Sequence, residues 1–491
     1  MMLDETTLKE WEPVIGLEIH VELNTRSKLF SQAPNRFGDE PNTNITDVCT
    51  GQPGTLPVLN REAVRKAVQF GCAINAQINH YSRFDRKSYF YPDSPRNFQI
   101  TQFELPIITG GTVTTDIHGV TKNFSINRVH LEDDAGMLKH FNQFAGVDYN
   151  RAGVPLIEIV SEACIFSADE AVAYATMVKA ILQYLDVSDC NMEEGSLRFD
   201  ANISVRKKGE KRFRNKIEIK NMNSFNFLGM AINAEIKRQV RLYLEHPDKS
   251  PGTVIDQATF RWDPEIKETV LMRKKEEADD YRYFLEPDLP PLVLEKEYID
   301  SIREMQPELP YEREKRYIKE LGLSSEGAAV LISEKALADY FEEALRVSSN
   351  PRSICNWLIV EFAGRYKENG RSIWTDGIPP QFVGKLINLI DSGKITGKMA
   401  KEVADLMVKH PNKDPEEIVK ENPAFQPLSD EKAIEIIVDQ VLADNSSTVK
   451  SYLNGKEKAF AFLVGQVMKA TNGKAAPPVV NRLLKEKIKK N

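Results

Sequence analysis

The stretch LEIHVEL (residues 17–23) decides how the first half of the chain folds. Its apolar and polar residues alternate strictly, and this period of two predicts a β-strand with Glu18, His20 and Glu22 on one face. Two carboxylates beside an imidazole repel each other unless a cation lies nearby. The pattern therefore leaves two alternatives open: a solvent-facing strand, or a strand that binds a metal or transfers a proton.

Four further stretches carry a polar strand face: FSINRVHLED (124–133), PLIEIVSE (155–162), GSLRFDANISV (195–205) and NKIEIKN (215–221). The polar side chains on them are His130 and Glu132, then Glu158, then Arg198, Asp200 and Asn202, then Lys216, Glu218 and Lys220. Glu158 is the only charge within its apolar run, and burial of a lone carboxylate is costly unless it meets a cation. Together the five stretches predict a sheet with one polar face that forms an open, cation-dependent cavity.

The donor types on this face favour Mg²⁺, because hard oxygen ligands with one or two imidazoles suit it. Zinc prefers Cys or a tighter His set, and the five cysteines form no CxxC pair. The sequence contains no GxxxxGK[ST], no GxGxxG and no GxSxG. A bound nucleotide is therefore not expected in a P-loop or a Rossmann fold, and a nucleophile elbow is not expected either.

Helical periodicity interrupts the strands at residues 60–75 and 167–185, where Ser167 and Glu170 form a capping-box signal. From about residue 295 onward only helical patterns follow. YFLEPDLPPLV (283–293) and HPNKDPEE (410–417) have the proline content of boundaries. We therefore predict an α+β protein with a strand-rich domain at 1–292, a helical domain at 293–411 and a helical tail domain at 412–491.

Composition narrows the functional classes. Of 491 residues, 41% are hydrophobic and 28% charged, which argues against a disordered chain. No apolar run approaches the length of a membrane span and the N-terminus has no signal-peptide core, so we expect a cytoplasmic protein without membrane contact. The net charge is −7, yet residues 446–491 hold ten Lys and Arg against two Glu. This basic end either contacts a polyanion or is a solvated helical surface.

The stretch 83–104 interleaves Arg83, Arg86, Lys87 and Arg96 with six aromatic residues. Aromatic rings that stack and cations that contact phosphates are typical of a surface for single-stranded nucleic acid. The alternative is a small aromatic core under a long loop, and composition slightly favours it.

Eight motifs together resemble one family, the B subunits of tRNA-dependent amidotransferases, called GatB. They are VIGLEIHVEL (14–23), FDRKSYFYPDSPRNFQITQ (84–102), VHLEDDAGM (129–137), YNRAGVPLIEIVSE (149–162), MEEGSLRFDANISVR (192–206), IEIKNMNSFNF (217–227), DDYRYFLEPDLPPL (279–292) and LVGQVMKATNGKAAPPVVNRLLKEK (463–487). The resemblance runs from about residue 11 to 491.

The resemblance implies a glutamine-synthetase-like antiparallel-sheet (cradle) domain, an all-α helical domain and a YqeY-like helical tail that binds tRNA. It also implies an ATP-dependent carbon–nitrogen ligase with glutamine as amido donor. In this family the GatB chain phosphorylates the side-chain carboxylate of misacylated Glu-tRNA(Gln), Asp-tRNA(Asn) or both with Mg-ATP. Ammonia from a GatA-type glutaminase subunit then displaces the phosphate, within a heterotrimer that includes a small GatC-type subunit.

The family's metal and ATP positions fall by motif on Glu18, His20, Glu132, Asp200 and Glu218. Glu18, His20, Glu132, Glu218 and Lys220 are the predicted catalytic residues, with Lys220 and Arg198 as candidates for neutralising phosphate. Nucleotide binding is predicted for Glu158, from the lone-carboxylate argument, and for Arg198 and Asn202. Some family members carry a zinc-binding Cys cluster before the PGxLPVLN motif, but VCTGQPGTLPVLN (48–60) has only Cys49, so no zinc is expected.

Two other functions remain alternatives: a non-catalytic tRNA-binding scaffold, and a free-standing ligase of glutamine-synthetase type. A scaffold needs no metal-binding cavity, and a small substrate needs neither the basic tail nor the aromatic loop. We further predict that the chain alone cannot use glutamine, because no sequence neighbour of Cys49 would lower its pKa and no serine has an elbow context.

Overall fold

The structure, a computed structural model, describes residues 4–274, 281–367, 371–425, 431–453, 455–471 and 474–490. The chain separates into two compact units, Met1–Arg313 and Glu314–Asn491. The first unit holds the strands and the second is helical, so the predicted α+β class is confirmed. The finer division at residues 292 and 411 stays a prediction.

The strands, in chain order, are β1 (Trp11–Glu22), β2 (Gln77–Ile78), β3 (Tyr81–Ser82), β4 (Asp85–Ser88), β5 (Phe98–Thr101), β6 (Ile108–Thr109), β7 (Thr112–Ile117), β8 (Val120–Asp133), β9 (Met137–His140), β10 (Ala145–Asp148), β11 (Pro155–Ser161), β12 (Leu197–Lys207), β13 (Ile217–Lys220), β14 (Ala258–Asp263), β15 (Glu268–Lys274), β16 (Phe284–Leu285) and β17 (Leu292–Val293).

The helices of the first unit are α1 (Glu5–Leu8), α2 (Arg61–Ala73), α3 (Ala168–Tyr184), α4 (Phe225–Glu245), α5 (Pro251–Val254) and α6 (Lys296–Glu304), and α7 (Pro310–Lys319) follows. The second unit continues with α8 (Ser325–Ile332), α9 (Lys335–Leu345), α10 (Pro351–Asn356), a π-helical turn (Trp357–Phe362), α11 (Ala363–Tyr366), α12 (Pro380–Asp391), α13 (Gly397–Lys409), α14 (Pro415–Glu421), a 3₁₀ turn (Pro423–Phe425), α15 (Glu431–Asp444), α16 (Ser446–Leu453), α17 (Glu457–Ala470) and α18 (Pro477–Lys490).

A ten-stranded sheet organises the first unit, in the order β15-β14-β13-β12-β1-β11-β8-β6-β2, with β7 paired to β8. All its pairs are antiparallel except β13 and β14, which are parallel. The sheet therefore departs from the predicted antiparallel arrangement at this one pair. The reason is the connection, since α4 lies between the two strands in sequence and supplies the long crossover that a parallel pair requires.

Strand β1 lies at the centre of the sheet, and its alternating residues meet different environments on the two faces. Leu17, Ile19 and Val21 are fully buried on the apolar face. On that side α4 packs on β12, where Gln239 Nε2 donates to the Ile203 carbonyl at 3.0 Å. The opposite face of the same strands carries the polar side chains. The sheet thus separates an apolar core from a polar cavity, as the sequence pattern predicts.

The helix starts are also where the sequence places them. Ser167 caps α3 through its hydroxyl, which accepts from the Glu170 amide. Glu170 reaches back one residue further than a capping box predicts, because its carboxylate accepts from the Phe166 amide at 2.8 Å. Asp414 caps α14, with Pro415 at the first helical position. In the second unit α15, α16, α17 and α18 enclose an apolar core that includes Ile434, Leu463 and Leu484.

None of the helices in the described part of the chain has both the length and the apolar character needed to cross a membrane.

Candidate active site

The register of the central strands aligns polar side chains across the sheet. His130 on β8 lies opposite Glu158 on β11, and Glu158 lies opposite His20 on β1. His20 in turn lies opposite Arg198 on β12. Directly opposed residues in antiparallel strands share a face, with Cβ atoms about 5 Å apart. Four residues that are remote in sequence therefore form one row across four strands.

The first cluster, which we call the histidine triad, consists of His20, Glu132 and Glu158, whose ligand atoms lie within 4.8 Å of one another. His130 lies beside this triad, with Nε2 3.4 Å from Glu158 Oε2 and 3.7 Å from Glu132 Oε2. His20 Nε2 is 3.4 Å from the same Glu158 oxygen. Glu158 is thus held between two imidazoles, which is the cation contact that its apolar surroundings require.

Electrostatics in the histidine triad follow from this arrangement. Burial acts to lower the pKa of His130, but the carboxylates of Glu158 and Glu132 outweigh it and raise that pKa to about 9. Burial acts to raise the pKa of Glu158, yet His130 and His20 hold it well below its usual value. The cluster therefore favours ionised carboxylates, the form in which they bind metals.

The second cluster, which we call the carboxylate triad, consists of Glu18, Asp200 and Glu218 from β1, β12 and β13. Their ligand atoms also lie within 4.8 Å of one another. Lys220 Nζ contacts Asp200 Oδ2 at 2.5 Å and Glu218 Oε1 at 3.5 Å. Burial raises the pKa of Glu18, and the charges of Glu158, Asp200 and Glu218 raise it further. The three carboxylates repel one another, and a bound cation would relieve that repulsion.

The structure brings the predicted metal ligands together, but in two sets rather than one. His20 and Glu132 belong to the histidine triad, while Glu18, Asp200 and Glu218 form the carboxylate triad. Both sets line one cavity of about 250 Å³, together with Lys220. The assignment of these residues to metal and catalysis stays a prediction.

The three residues predicted for nucleotide binding have different surroundings. Glu158 lies among the metal-ligand groups of the histidine triad. Asn202 donates its amide to Glu18 Oε1 at 2.8 Å, which orients that carboxylate. Arg198 forms an ion pair with Asp134 and lines an adjoining cavity of about 230 Å³.

The adjoining cavity shares part of its lining with the first one. His20, Lys87, Glu132 and Lys220 line both. A group held by the triads therefore has continuous space toward Arg198 and Arg96. The site is better described as two connected chambers than as one pocket.

Lys87 is a site residue that the strand patterns missed. Burial acts to lower its pKa, but the carboxylate of Glu132 and other neighbours raise it above the usual value. Its ammonium lies 5.0 Å from the Tyr281 ring centroid. The only signal in the sequence was its place among the basic residues of 83–104, where nothing shows that β4 approaches the polar face.

The same stretch, 83–104, forms in part the small aromatic core considered for it, and its role as a nucleic-acid surface stays a prediction. Phe84 is buried and meets Phe30 edge to face at 5.5 Å between centroids, as in a small aromatic core. Arg86 pairs with Glu286, and Arg96 with Asp133, so these cations are held within the protein. Phe90 and Tyr91 are exposed.

Cys49 differs from its sequence-based description. Burial acts to raise its pKa, but the ammonium of Lys28 and hydrogen bonds with Ser31 and Thr46 outweigh burial, so the pKa lies below its usual value. The Sγ atom is 3.2 Å from Ser31 Oγ and 3.4 Å from Thr46 Oγ1. The sequence showed no neighbour that would lower this pKa. In the fold Lys28, which is remote along the chain, acts on the Cys49 thiol and lowers its pKa.

Comparison with known proteins assigns the family. The family model of the GatB/GatE catalytic domain matches residues 13–300, and this part of the chain carries both triads. A second family model, described as a GatB domain, matches residues 339–488. The chain belongs to the GatB family.

Curated relatives agree over nearly the whole length. A protein of Protochlamydia amoebophila is 66% identical over 479 residues, which cover 98% of this chain and 97% of the relative. A protein of Chlamydia abortus is 60% identical over 481 residues, covering 98% and 99%. One of Chlamydia pneumoniae is 60% identical over 475 residues, covering 97% of each chain. Each is named as the B subunit of an aspartyl/glutamyl-tRNA(Asn/Gln) amidotransferase.

Proposed function

We propose that this chain is the B subunit of an aspartyl/glutamyl-tRNA amidotransferase and that its cavity activates a tRNA-bound carboxylate. An oxygen of the aspartyl or glutamyl side chain bonds to the γ-phosphorus of ATP, and ADP leaves. Ammonia then bonds to the acyl carbon, and inorganic phosphate leaves with the electrons of the C–O bond and takes up the proton that the nitrogen loses. The family membership and the two triads support this proposal.

Mg²⁺ is the metal that fits the donor set. The two triads offer five carboxylates and one imidazole, and hard oxygen donors of this kind suit Mg²⁺. Burial and the charges of neighbouring carboxylates raise the pKa of Glu18. A bound cation would relieve this repulsion, which supports the fit. Bound Mg²⁺ would neutralise phosphate charge during transfer.

The chain's own cations complete the site. We assign to Lys220 the task of holding phosphate oxygens, because its ammonium already lies between Asp200 and Glu218 at the cavity wall. Lys87 and Arg198 extend positive charge into the connected chambers. Fixed cations aimed at developing charge stabilise a transition state without reorganisation. Asn202 positions the Glu18 carboxylate.

The larger architecture belongs to the same proposal. We take the first unit's sheet as a glutamine-synthetase-like cradle and the helices α15 to α18 as the YqeY-like tail, with the three domains at 1–292, 293–411 and 412–491. The tail is proposed to contact tRNA phosphates. Among the residues from 446 onward whose burial the structure describes, six lysines are exposed, at positions 450, 456, 458, 469, 474 and 485.

Ammonia is proposed to come from a GatA-type glutaminase subunit, with a GatC-type subunit in the same heterotrimer. The names of the relatives describe one subunit of a larger enzyme, which supports partner subunits. Burial acts to raise the pKa of Cys49, but the Lys28 ammonium and hydrogen bonds with the hydroxyls of Ser31 and Thr46 outweigh burial and lower it.

A non-catalytic tRNA-binding scaffold is the second candidate. It accounts for the basic tail but not for two triads, each partly buried, and two lysines in one cavity. Buried carboxylates are costly to maintain, so a scaffold has no reason to keep six ionisable ligands together. The catalytic function is therefore the better supported of the two.

The proposal is tested by mass spectrometry of the aminoacyl group on tRNA. The chain alone, and the chain assembled with its partner subunits, receive ATP, Mg²⁺, either misacylated tRNA, and either glutamine or ammonium. We expect amidation by the assembly with both nitrogen sources and by the chain alone with ammonium only. Glutamine use by the chain alone, abolished by Cys49→Ala, would reverse the division of labour.

A further inference from the structure

A second cavity lies on the other face of the sheet. It is a groove of about 580 Å³ between α4 and the β14–β15 hairpin. Phe260 of β14 lies beside Ile219 of β13, on the face that α4 covers, and Arg261 lies beside Lys220, on the face of the triads. Trp262 lines the groove from β14. The sheet itself separates this groove from the candidate active site.

The lining of the groove is cationic. Lys237 and Arg241 follow each other by one turn of α4, about 6 Å apart along the axis, and Lys267 faces them from the β-hairpin. All three side chains are exposed, and no ion pair joins them to a carboxylate in the part of the chain that the structure describes. Glu268 is the one acidic residue among the described lining residues. A net positive charge therefore remains available to a ligand.

A buried donor makes the groove more than a basic surface. Trp262 is 3% exposed, and its indole Nε1 has no hydrogen-bond acceptor among the described residues. An unpaired buried donor costs about 1–3 kcal/mol, and Trp262 lines the cationic groove, so an anion that reaches the indole N–H would remove that cost. Asn233 adds a second neutral polar group to the lining.

The base of the groove is fixed by hydrogen bonds to one buried carboxylate. Glu235 is fully buried, and both its oxygens accept from Arg238 at 2.8 Å. Thr269 Oγ1 donates to the same carboxylate at 2.9 Å. Arg238 also lies over the Phe260 ring, 4.6 Å from its centroid. Helix and hairpin are therefore held together, and the outer cations are positioned on a rigid support.

From these contacts we infer that the groove binds phosphate groups of an RNA backbone, at a site apart from the active site. The lining supplies cations and neutral donors, which match phosphate oxygens, but presents no open aromatic face on which a base could stack. The chemistry therefore suits the backbone rather than a nucleotide base. That the RNA is the tRNA substrate rests on the proposed function, whereas the phosphate chemistry does not.

The test measures tRNA binding by the full chain as a function of salt, without ATP. The groove variant carries Lys237→Gln, Arg241→Gln and Lys267→Gln, and the matched control carries Lys208→Gln, Lys211→Gln and Arg212→Gln, three exposed cations of the same unit. We expect the groove variant to lose about tenfold or more in affinity, and its log K against log salt slope to fall by about 2, because three phosphate contacts disappear. Equal slopes and affinities in the groove and control variants would overturn the inference.

Trp262→Phe separates the groove from general charge effects. It keeps a six-membered aromatic ring and removes the indole N–H together with the pyrrole ring that carries it, so affinity should fall about two- to tenfold with an unchanged salt slope. Unchanged affinity in this variant would contradict the assignment of Trp262 as a donor to phosphate.

Inorganic phosphate at constant ionic strength distinguishes a small anion from RNA. A phosphate-dependent change in tryptophan fluorescence that Trp262→Phe abolishes, together with control-like tRNA binding by the groove variant, would show a small-anion site and overturn the RNA assignment. Loss of tRNA binding in the groove variant, alongside a wild-type assembly that fails to amidate tRNA, would contradict the proposed function alone.

Discussion

At the scale of single residues, Glu158 shows how burial and charge define this site. Its carboxylate lies in an apolar strand, yet His20 and His130 each approach the same oxygen at 3.4 Å. A charge in such a place is tolerated only because partners surround it. Glu158, whose charge is unusual inside an apolar strand, therefore links the imidazoles of His20 and His130 across three strands.

We predict that Glu158→Gln lowers the pKa of His130 from about 9. A nearby carboxylate stabilises the imidazolium form, so removal of its charge makes the proton easier to lose. The measurement is an NMR titration of the histidine ring protons in metal-free protein. Glu162→Gln, an exposed position on the same segment, is the control and should leave His130 unchanged. A His130 pKa that stays near 9 in Glu158→Gln would contradict the arrangement.

At the scale of elements, the sequence predicts the strand pattern and the helix starts. It does not predict which strands pair with one another. Alternation in LEIHVEL is enough to place Glu18 and His20 on a polar face, because the period of a strand is fixed by its geometry. No local pattern specifies that β1 lies between β11 and β12, and this register is what sorts the ligands into two triads. The roles of Lys87 and Lys28 were not predicted for the same reason. The residues that they act on, Glu132 and Cys49, come close only in the folded chain.

The cap of α3 provides a prediction at this scale. Ser167→Ala removes the hydroxyl that accepts from the Glu170 amide, which should destabilise the first turn by about 1 kcal/mol. Hydrogen exchange of the amides in that turn should become about fivefold faster. Exchange in α2, which is capped by Asn60, serves as the internal control. Unchanged exchange at Glu170 would show that the Glu170–Phe166 contact alone holds this end.

At the scale of the whole molecule, charge is divided along the chain. The net charge is −7, while the last 46 residues carry +8. Part of that tail charge is neutralised internally, since Lys487 pairs with Glu435 and Asp439, and Arg482 pairs with Glu431. The lysines that remain exposed are therefore the ones available to a polyanion.

We predict that replacing the six exposed tail lysines by glutamine weakens tRNA binding and flattens its salt dependence, because fewer counterions are released. Substitution is a sharper test than truncation at residue 446, because α15 shares its apolar core with α17 and α18. The readouts are the salt slope of tRNA affinity and the affinity for ATP, which should not change. A slope equal to that of the wild type would mean that the tail is only a solvated surface.

The measurement that most directly tests the proposed activity is tRNA-dependent ATP hydrolysis by the assembled enzyme carrying Glu132→Gln and Glu218→Gln. Each substitution keeps the side-chain shape, and together they remove one carboxylate from each triad. We expect phosphate release to fall by orders of magnitude while the protein stays folded, and Glu162→Gln to behave as the wild type. Wild-type rates of ATP hydrolysis in the double variant would contradict the assignment of the two triads to Mg-ATP chemistry.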